Sequence, residues 1–306
     1  MRIVDVHLHV WPVLCGTREG KIVTRADRYG KVRRVGQRVE RWLPPSFVDT
    51  TVSPEVALEY MSIAGVDKAV LIQAPCYGDN NEYISEVVKA YPDRFIGVAI
   101  TDPRKDDKGI GGLETAISEL GLRVVKFELP DWPFRPDEEQ YDVLWKRILE
   151  LDIPVILDLG WGQTEYDFQL DAVKKLLLKF PELKLVIAHL GISHLWDPKQ
   201  DEPFTVMQQT LELAKVGPNV MFELAGLPML VSEQEYPYPR AQRAIKAAYE
   251  AVGPEKIMWG SDFPSILLSC TYQQALNLVK LNCASFMPES DMALILGGNA
   301  ERFFGF

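Results

Sequence analysis

The chain is poor in the residues that most often announce a metal or redox centre. Only four of its 306 residues are histidine and four are cysteine. Cys15, Cys76, Cys270 and Cys283 are far apart and form no CxxC pair. In a chain of this size they read as reduced thiols of a cytosolic protein. No apolar run approaches the ~20 residues of a membrane span. The N-terminus enters a strand-like run directly, without a signal-peptide pattern, so the expected compartment is the cytoplasm. A net charge of −10 argues against a general nucleic-acid binder, which would be basic. No linker or low-complexity segment interrupts the chain, so residues 1–306 read as one domain. No glycine-rich phosphate turn follows any strand-like run.

What the chain does have is rhythm. Eight apolar, β-rich runs recur: "IVDVHLHV" (3–10), "KAVLIQA" (68–74), "RFIGVAI" (94–100), "RVVKFEL" (123–129), "PVILDLG" (154–160), "KLVIAHL" (184–190), "NVMFELA" (219–225) and "KIMWGSD" (256–262). Near-continuous apolar runs of this length suit parallel strands covered by helices on the outside. Segments of helical period lie between them. "SPEVALEYMSIAG" starts on Ser53 and Pro54 and stops on Gly65, a cap, a first-turn proline and a terminating glycine. Eight strand–helix units predict an α/β fold, a (β/α)₈ TIM barrel, with a doubly wound sheet as the alternative. Residues 11–52 and 226–240 form long connections at the C-terminal ends of the first and seventh strands, where barrel enzymes place their sites.

The chemistry-bearing residues fall at those same strand ends. Alternation with period 2 puts Asp5, His7 and His9 on one face of the first strand, with Val4, Val6 and Leu8 on the other. The two histidines could grip a divalent ion, or they could be hydrogen-bonded interior residues. "WGSDFP" places Asp262 at the end of the eighth strand, as a metal ligand, a proton acceptor or a turn aspartate. His189 ends the sixth strand, Asp158 the fifth, and Lys126 lies in the fourth. Buried groups of this kind are costly unless paired or working. Several strands thus offer polar groups to one central point.

With these motifs in view, the sequence resembles the amidohydrolase superfamily, in its branch of small TIM-barrel hydrolases and decarboxylases. The resemblance runs over nearly the whole chain. It rests on "DVHLHV", "AHLG", "MWGSDFP" and the ending "LGGNAERFFGF". It implies that His7 and His9 are metal ligands. It implies that Asp262 is both ligand and proton acceptor for the attacking water, and that His189 polarises the substrate or positions that water. Many members carry a metal-ligating histidine where this chain has Asp158. The decarboxylase group relies on that histidine; the lactonase-like group often lacks it, and some of its members work without metal. Asp158 could itself ligate zinc or manganese. One divalent ion, zinc or manganese, is therefore the expected cofactor, with metal-free action left open. His194 reads as a loop residue.

Residues 11–45 carry nine basic residues against three acidic ones, in a chain that is acidic overall. A basic lid would attract a carboxylate-bearing substrate, with Arg34 among the arginines that meet it; a solvated loop, or one docked on a neighbouring subunit, is the alternative. Trp132, Phe134, Trp161, Trp196, Tyr236 and Tyr238 follow strand ends and could wall an apolar pocket. Trp161 and Tyr236, with Lys126, are the expected substrate contacts. The expected activity is hydrolysis of a lactone, ester or amide of a small cyclic or aromatic carboxylate. Non-oxidative decarboxylation is the second reading, and a metabolite-binding barrel without chemistry the third. Barrels of this type commonly associate, so a homo-oligomer stays open by analogy. Neither nucleic acid nor membrane is an expected partner.

Overall fold

A computed structural model describes residues 1–18, 21–105, 107–160, 164–192, 204–231 and 235–306. The first strand, β1 (Val4–Leu8), is followed by four short strands, β2 (Cys15–Arg18), β3 (Lys21–Ala26), β4 (Lys31–Arg34) and β5 (Val39–Arg41). From α1 (Pro54–Ala64) onward strands and helices alternate. They run β6 (Lys68–Leu71), α2 (Asn81–Ala90), β7 (Phe95–Ile100), α3 (Asp107–Ser118), β8 (Val124–Glu128), α4 (Asp142–Glu150), β9 (Val155–Asp158) and α5 (Leu170–Lys179). Then come β10 (Leu185–Ile187), α6 (Thr205–Leu211), β11 (Val220–Glu223), α7 (Leu227–Leu230), α8 (Pro239–Val252), β12 (Ile257–Met258) and α9 (Tyr272–Lys280). Two short helices, α10 (Glu289–Ala293) and α11 (Asn299–Phe304), end the chain.

The parallel sheet has the order β1-β6-β7-β8-β9-β10-β11-β12, which is simply chain order. A doubly wound sheet would reverse direction part-way. Here the edges meet instead. Val6 N–H donates to the Trp259 carbonyl at 3.1 Å, Asp262 N–H to the His7 carbonyl at 2.8 Å, and His9 N–H to the Phe263 carbonyl at 2.8 Å. The architecture is thus a TIM-like barrel. The local signals in the sequence act as expected. Ser53 accepts from Val56 N–H at the start of α1, and Gly65 ends that helix in the left-handed region. No helix among the described residues is long and apolar enough to cross a membrane.

Two packed layers follow from strand alternation. Val70, Ile96, Val98, Val124, Ile156, Val186, Met221 and Met258 point inward and fill the lower barrel. Phe304 and Ala300 of α11 join the same cluster, so the C-terminal helix plugs the floor. Leu71, Phe127, Leu157, Ile187 and Phe222 point outward and pack against the helices. The "GGNAERFF" tail serves this floor. Asn299 donates to the carbonyls of Pro254 and Ile257, at 2.7 and 2.6 Å, and so ties the tail to β12.

Strict alternation fails at one place, β1. Asp5 pairs with Ala69 but Leu8 pairs with Leu71, so β1 advances three residues while β6 advances two. This is a bulge, and it re-aims the side chains beyond it. Val4 and Val6 belong to the inner cluster and Leu8 to the outer one. The expected shared face of Asp5, His7 and His9 is therefore corrected. Asp5 leaves the barrel interior and accepts from Ser261 N–H at 2.9 Å, Ser261 Oγ at 2.6 Å and Tyr272 Oη at 2.8 Å.

The basic connection after β1 is also more ordered than a loop. Its strands form a separate antiparallel sheet, β2-β3-β4-β5. The only fully buried side chains in β3 and β4 are Thr24 and Val32. So little apolar alternation leaves almost no strand signal in the sequence.

Candidate active site

The polar layer lies directly above the inner apolar one, on the same strands. In β8, Lys126 and Glu128 continue the inward series begun by Val124. In β9, Asp158 follows Ile156, and in β11, Glu223 follows Met221. The bulge adds His7 and His9 from β1. His189 and Asp262 arrive just past the ends of β10 and β12. Both have left-handed backbones, at φ 55° and 65°. Non-glycine residues rarely adopt that region, and such strain gathers at functional sites. Gly226, at φ 73°, packs against both: a β-carbon there would come within 3.1 Å of Asp262 Oδ2 and 3.5 Å of His189 Nδ1.

Hydrogen bonds orient the histidine rings. His9 Nδ1 lies 2.8 Å from the Ile72 carbonyl, which can only accept, so Nδ1 carries a proton and Nε2 is turned toward the cavity. His7 Nδ1 lies 3.0 Å from Glu223 Oε1, another acceptor. The two Nε2 atoms are 3.1 Å apart, and His9 Nε2 is 3.3 Å from Asp262 Oδ1. With both Nδ1 atoms directed outward, His7 Nε2, His9 Nε2 and Asp262 Oδ1 converge on one point. Burial, reinforced by the neighbouring His189 and His9, holds the His7 imidazole well below its usual pKa. Burial raises the Asp262 pKa, but the contacts with His9 and His7 outweigh it and keep the carboxyl below its ordinary range. The donor set of two imidazoles and one carboxylate fits a divalent ion. His7, His9 and Asp262 form one group whose ligand atoms lie within 4.8 Å of each other.

His7, His189 and Glu223 form a second such group. Its atoms are already engaged. Glu223 Oε1 accepts from His189 N–H at 2.7 Å, Oε2 accepts from Ala225 N–H at 2.5 Å, and His189 Nδ1 lies 2.9 Å from the Ala225 carbonyl. Glu223 thus orients the His7 ring from behind, as carboxylates commonly do for ligating histidines, and holds the His189 backbone, while the Ala225 carbonyl orients the His189 ring. Burial lowers the His189 pKa, but Glu223, Asp158 and Asp262 outweigh it and raise the value.

A third cluster adjoins His189, whose Nε2 is 3.8 Å from Asp158 Oδ2. Lys126 Nζ is 3.6 Å from Glu128 Oε2 and 3.6 Å from Asp158 Oδ2. Burial opposes the Lys126 charge, and these carboxylates overcome it, so its pKa is raised and it stays an ammonium. All these groups border a cavity of about 300 Å³. The inserted sheet and its edge contribute Arg34, Gln37, Glu40, Arg41 and Trp42 to the mouth, so the basic insertion does reach the site. The Arg34 guanidinium sits 5.0 Å over the Trp42 ring, and its buried Nε has no hydrogen-bond partner among the described residues.

A model of the Amidohydro_2 amidohydrolases matches residues 4–306. The chain belongs to the amidohydrolase family. Among relatives of this amidohydrolase is the L-fucono-1,5-lactonase of Burkholderia ambifaria, 23% identical over 293 residues, 92% of this chain and 95% of the relative. The L-fucono-1,5-lactonase of Burkholderia multivorans is 26% identical over 156 residues, 48% of this chain and 51% of the relative, so that match spans about half of either protein. Three solved structures share the fold. One is an amidohydrolase from Burkholderia multivorans with bound zinc, with a TM-score of 0.75 and 20% identity over the whole of both chains. Another is a probable 2-pyrone-4,6-dicarboxylic acid hydrolase from Acinetobacter baumannii with citric acid bound, with a TM-score of 0.71 and 21% identity over the whole of both chains. The third is 5-carboxyvanillate decarboxylase from Sphingomonas paucimobilis, with a TM-score of 0.59 and 18% identity over 84% of each chain.

The sequence motifs and the amidohydrolase site overlap without coinciding. His7, His9, Asp262, His189, Lys126, Asp158 and Arg34 all border the cavity. Asp158 stands with Lys126 and outside both groups of converging ligand atoms. Tyr236 is 39% exposed, donates to Asn282 Oδ1 at 3.2 Å and does not border the cavity. Phe134 packs against Phe127 and Tyr141 in the outer core. Trp161, His194 and Trp196 lie outside the described residues. Among the described residues, the aromatic side chains that border the cavity are Tyr77 and Trp42. Glu223 went unnoticed in the sequence, although a lone carboxylate in "VMFEL" was the signal to follow.

Proposed function

We propose that this amidohydrolase is a hydrolase that uses an activated water to open a lactone, ester or amide of a small anionic cyclic or aromatic substrate. The observation that carries the reading is the convergence of His7 Nε2, His9 Nε2 and Asp262 Oδ1, with 3.1 Å between the two nitrogens and 3.3 Å from His9 to Asp262, at a cavity that Arg34 and Arg41 also border. In this reading His7, His9 and Asp262 hold one zinc or manganese ion, which supplies Lewis acidity and lowers the pKa of water when bound. Asp262 takes the proton from the attacking water, because its carboxyl is held ionised. His189 faces the substrate carbonyl and stabilises the charge that develops on its oxygen. Lys126 helps to fix the substrate. Arg34, with no acidic partner among the described residues, meets the anionic group near the mouth. The lactonase relatives and the citrate-bound and zinc-bound neighbours are in keeping with this reading.

The test is a panel of lactones, esters and aromatic acids, given to protein of known metal content and followed for ring opening and for CO₂. Ring opening that is lost on chelation and restored by zinc or manganese is the expected outcome. Full activity at sub-stoichiometric metal would remove the ion from the mechanism. The second reading, decarboxylation, is favoured by the structural likeness to 5-carboxyvanillate decarboxylase, and CO₂ release would replace the first reading with it.

A further inference from the structure

The cavity is bordered by a buried acceptor that no donor reaches within hydrogen-bond distance among the described residues. Asp158 is 3% exposed. Its Oδ1 accepts from the Gly160 backbone N–H at 2.9 Å. Its Oδ2 is buried without a hydrogen-bond partner among the described residues. Two nitrogen groups stand near this oxygen but out of hydrogen-bond range: Lys126 Nζ at 3.6 Å and His189 Nε2 at 3.8 Å. All three side chains border the cavity. A carboxylate oxygen left so deep in the protein is costly unless something fills the gap.

The neighbouring charges decide what can fill it. A second cation is opposed by the Lys126 ammonium 3.6 Å away. An anion is opposed by Asp158 itself and by Glu128, which lies 3.6 Å from the same ammonium. A neutral hydroxyl suits both partners at once. Its proton goes to Asp158 Oδ2, and its lone pairs accept from Lys126 Nζ. The gap also lies beside His189, the group that faces the reacting carbonyl in the hydrolase reading. With only 3.8 Å between Asp158 Oδ2 and His189 Nε2, a hydroxyl read there belongs close to the carbonyl that His189 would face.

We propose that Asp158 and Lys126 form a hydroxyl-reading subsite, and that the substrate carries a hydroxyl on the carbon adjacent to its reacting carbonyl. This rests on the hydrolase reading and narrows its substrate class to α-hydroxy lactones and their ester or amide counterparts. The far end of the same molecule is left to the arginines of the inserted sheet. Asp158 is then a substrate-binding residue, and its separation from the converging ligand atoms follows from that role.

The probes are δ-valerolactam and its α-hydroxy derivative, which mimic a lactone but resist hydrolysis. Their binding is measured by calorimetry on the full chain and on Asp158→Asn. In that variant the amide oxygen keeps the Gly160 N–H, while an NH₂ donor replaces the acceptor facing Lys126. The hydroxylactam is expected to bind the parent protein at least about tenfold tighter than the plain lactam, in line with a hydrogen bond to a charged group. That preference is expected to fall to near unity in Asp158→Asn. Equal binding of the two lactams to the parent protein, binding of neither, or an unchanged preference in the variant would overturn the subsite. Turnover of the two matching lactones is followed separately. A hydroxylactam preference with no turnover of either lactone supports the subsite and removes the hydrolase reading. Turnover of both lactones at equal kcat/KM, with no lactam preference, removes the subsite and keeps the hydrolase reading.

Discussion

The barrel interior has two storeys, built by the same strands and opposite in character. Val124 and Lys126 are successive inward positions of β8, as are Ile156 and Asp158 in β9 and Met221 and Glu223 in β11. The lower storey is closed by Phe304 and makes only apolar contacts; removing its surface from water stabilises the fold. The upper storey buries charges, each of which would be destabilising alone. They are tolerated because they are matched in pairs: Lys126 against Glu128 and Asp158, Glu223 against two backbone N–H groups and the His7 ring. One step along a strand separates a residue kept for stability from one kept for chemistry.

Substitutions can test that division. The largest effect is expected from Asp262→Asn in the upper storey. Turnover should fall by about 10²–10⁴-fold, the usual span for losing a general base, while the melting temperature stays close to that of the parent protein. Turnover that survives the change would assign the proton transfer elsewhere. Ile156→Ala, one step below Asp158, should do the opposite. Urea unfolding should report a loss of about 2–5 kcal/mol, because the packed floor cannot fully collapse around the void, and kcat/KM of the folded enzyme should hold. If this variant loses turnover but not stability, the two storeys are not functionally distinct. Glu223→Gln should have the smallest effect. It weakens the hold on the His7 ring and on the His189 backbone without removing a candidate ligand. Metal affinity, read by competition with a chelator, should drop by about 10–100-fold. An unchanged affinity would mean that Glu223 serves packing alone.

The two storeys were unequally visible beforehand. The lower one is local pattern. Apolar runs, caps such as Ser53 and stop signals such as Gly65 are properties of neighbouring residues, and they located all eight barrel strands. The upper one was visible only where its residues sit in unusual short motifs, as His7, His9, His189 and Asp262 do. Glu223 was hidden because a single carboxylate in an apolar strand carries no spacing signal. Tyr236 was read as a pocket residue because it follows a strand end, yet its loop carries it to the surface beside Asn282. The inserted sheet was invisible as a sheet because hardly any of its side chains are buried.

The order of the strands, their helical cover and the presence of two histidines at one end and an aspartate at the other were decided by the chain's own local pattern. What those groups face was not. The bulge in β1 depends on how that strand pairs with β6, and it alone sends Asp5 outward and His7 and His9 inward. Closure of β1 against the end of β12 then brings Asp262 to His9, across most of the chain's length. The pairing of Lys126 with Asp158 likewise exists only between adjacent strands. Side-chain direction on a strand is set by register, and register is a property of two strands rather than one.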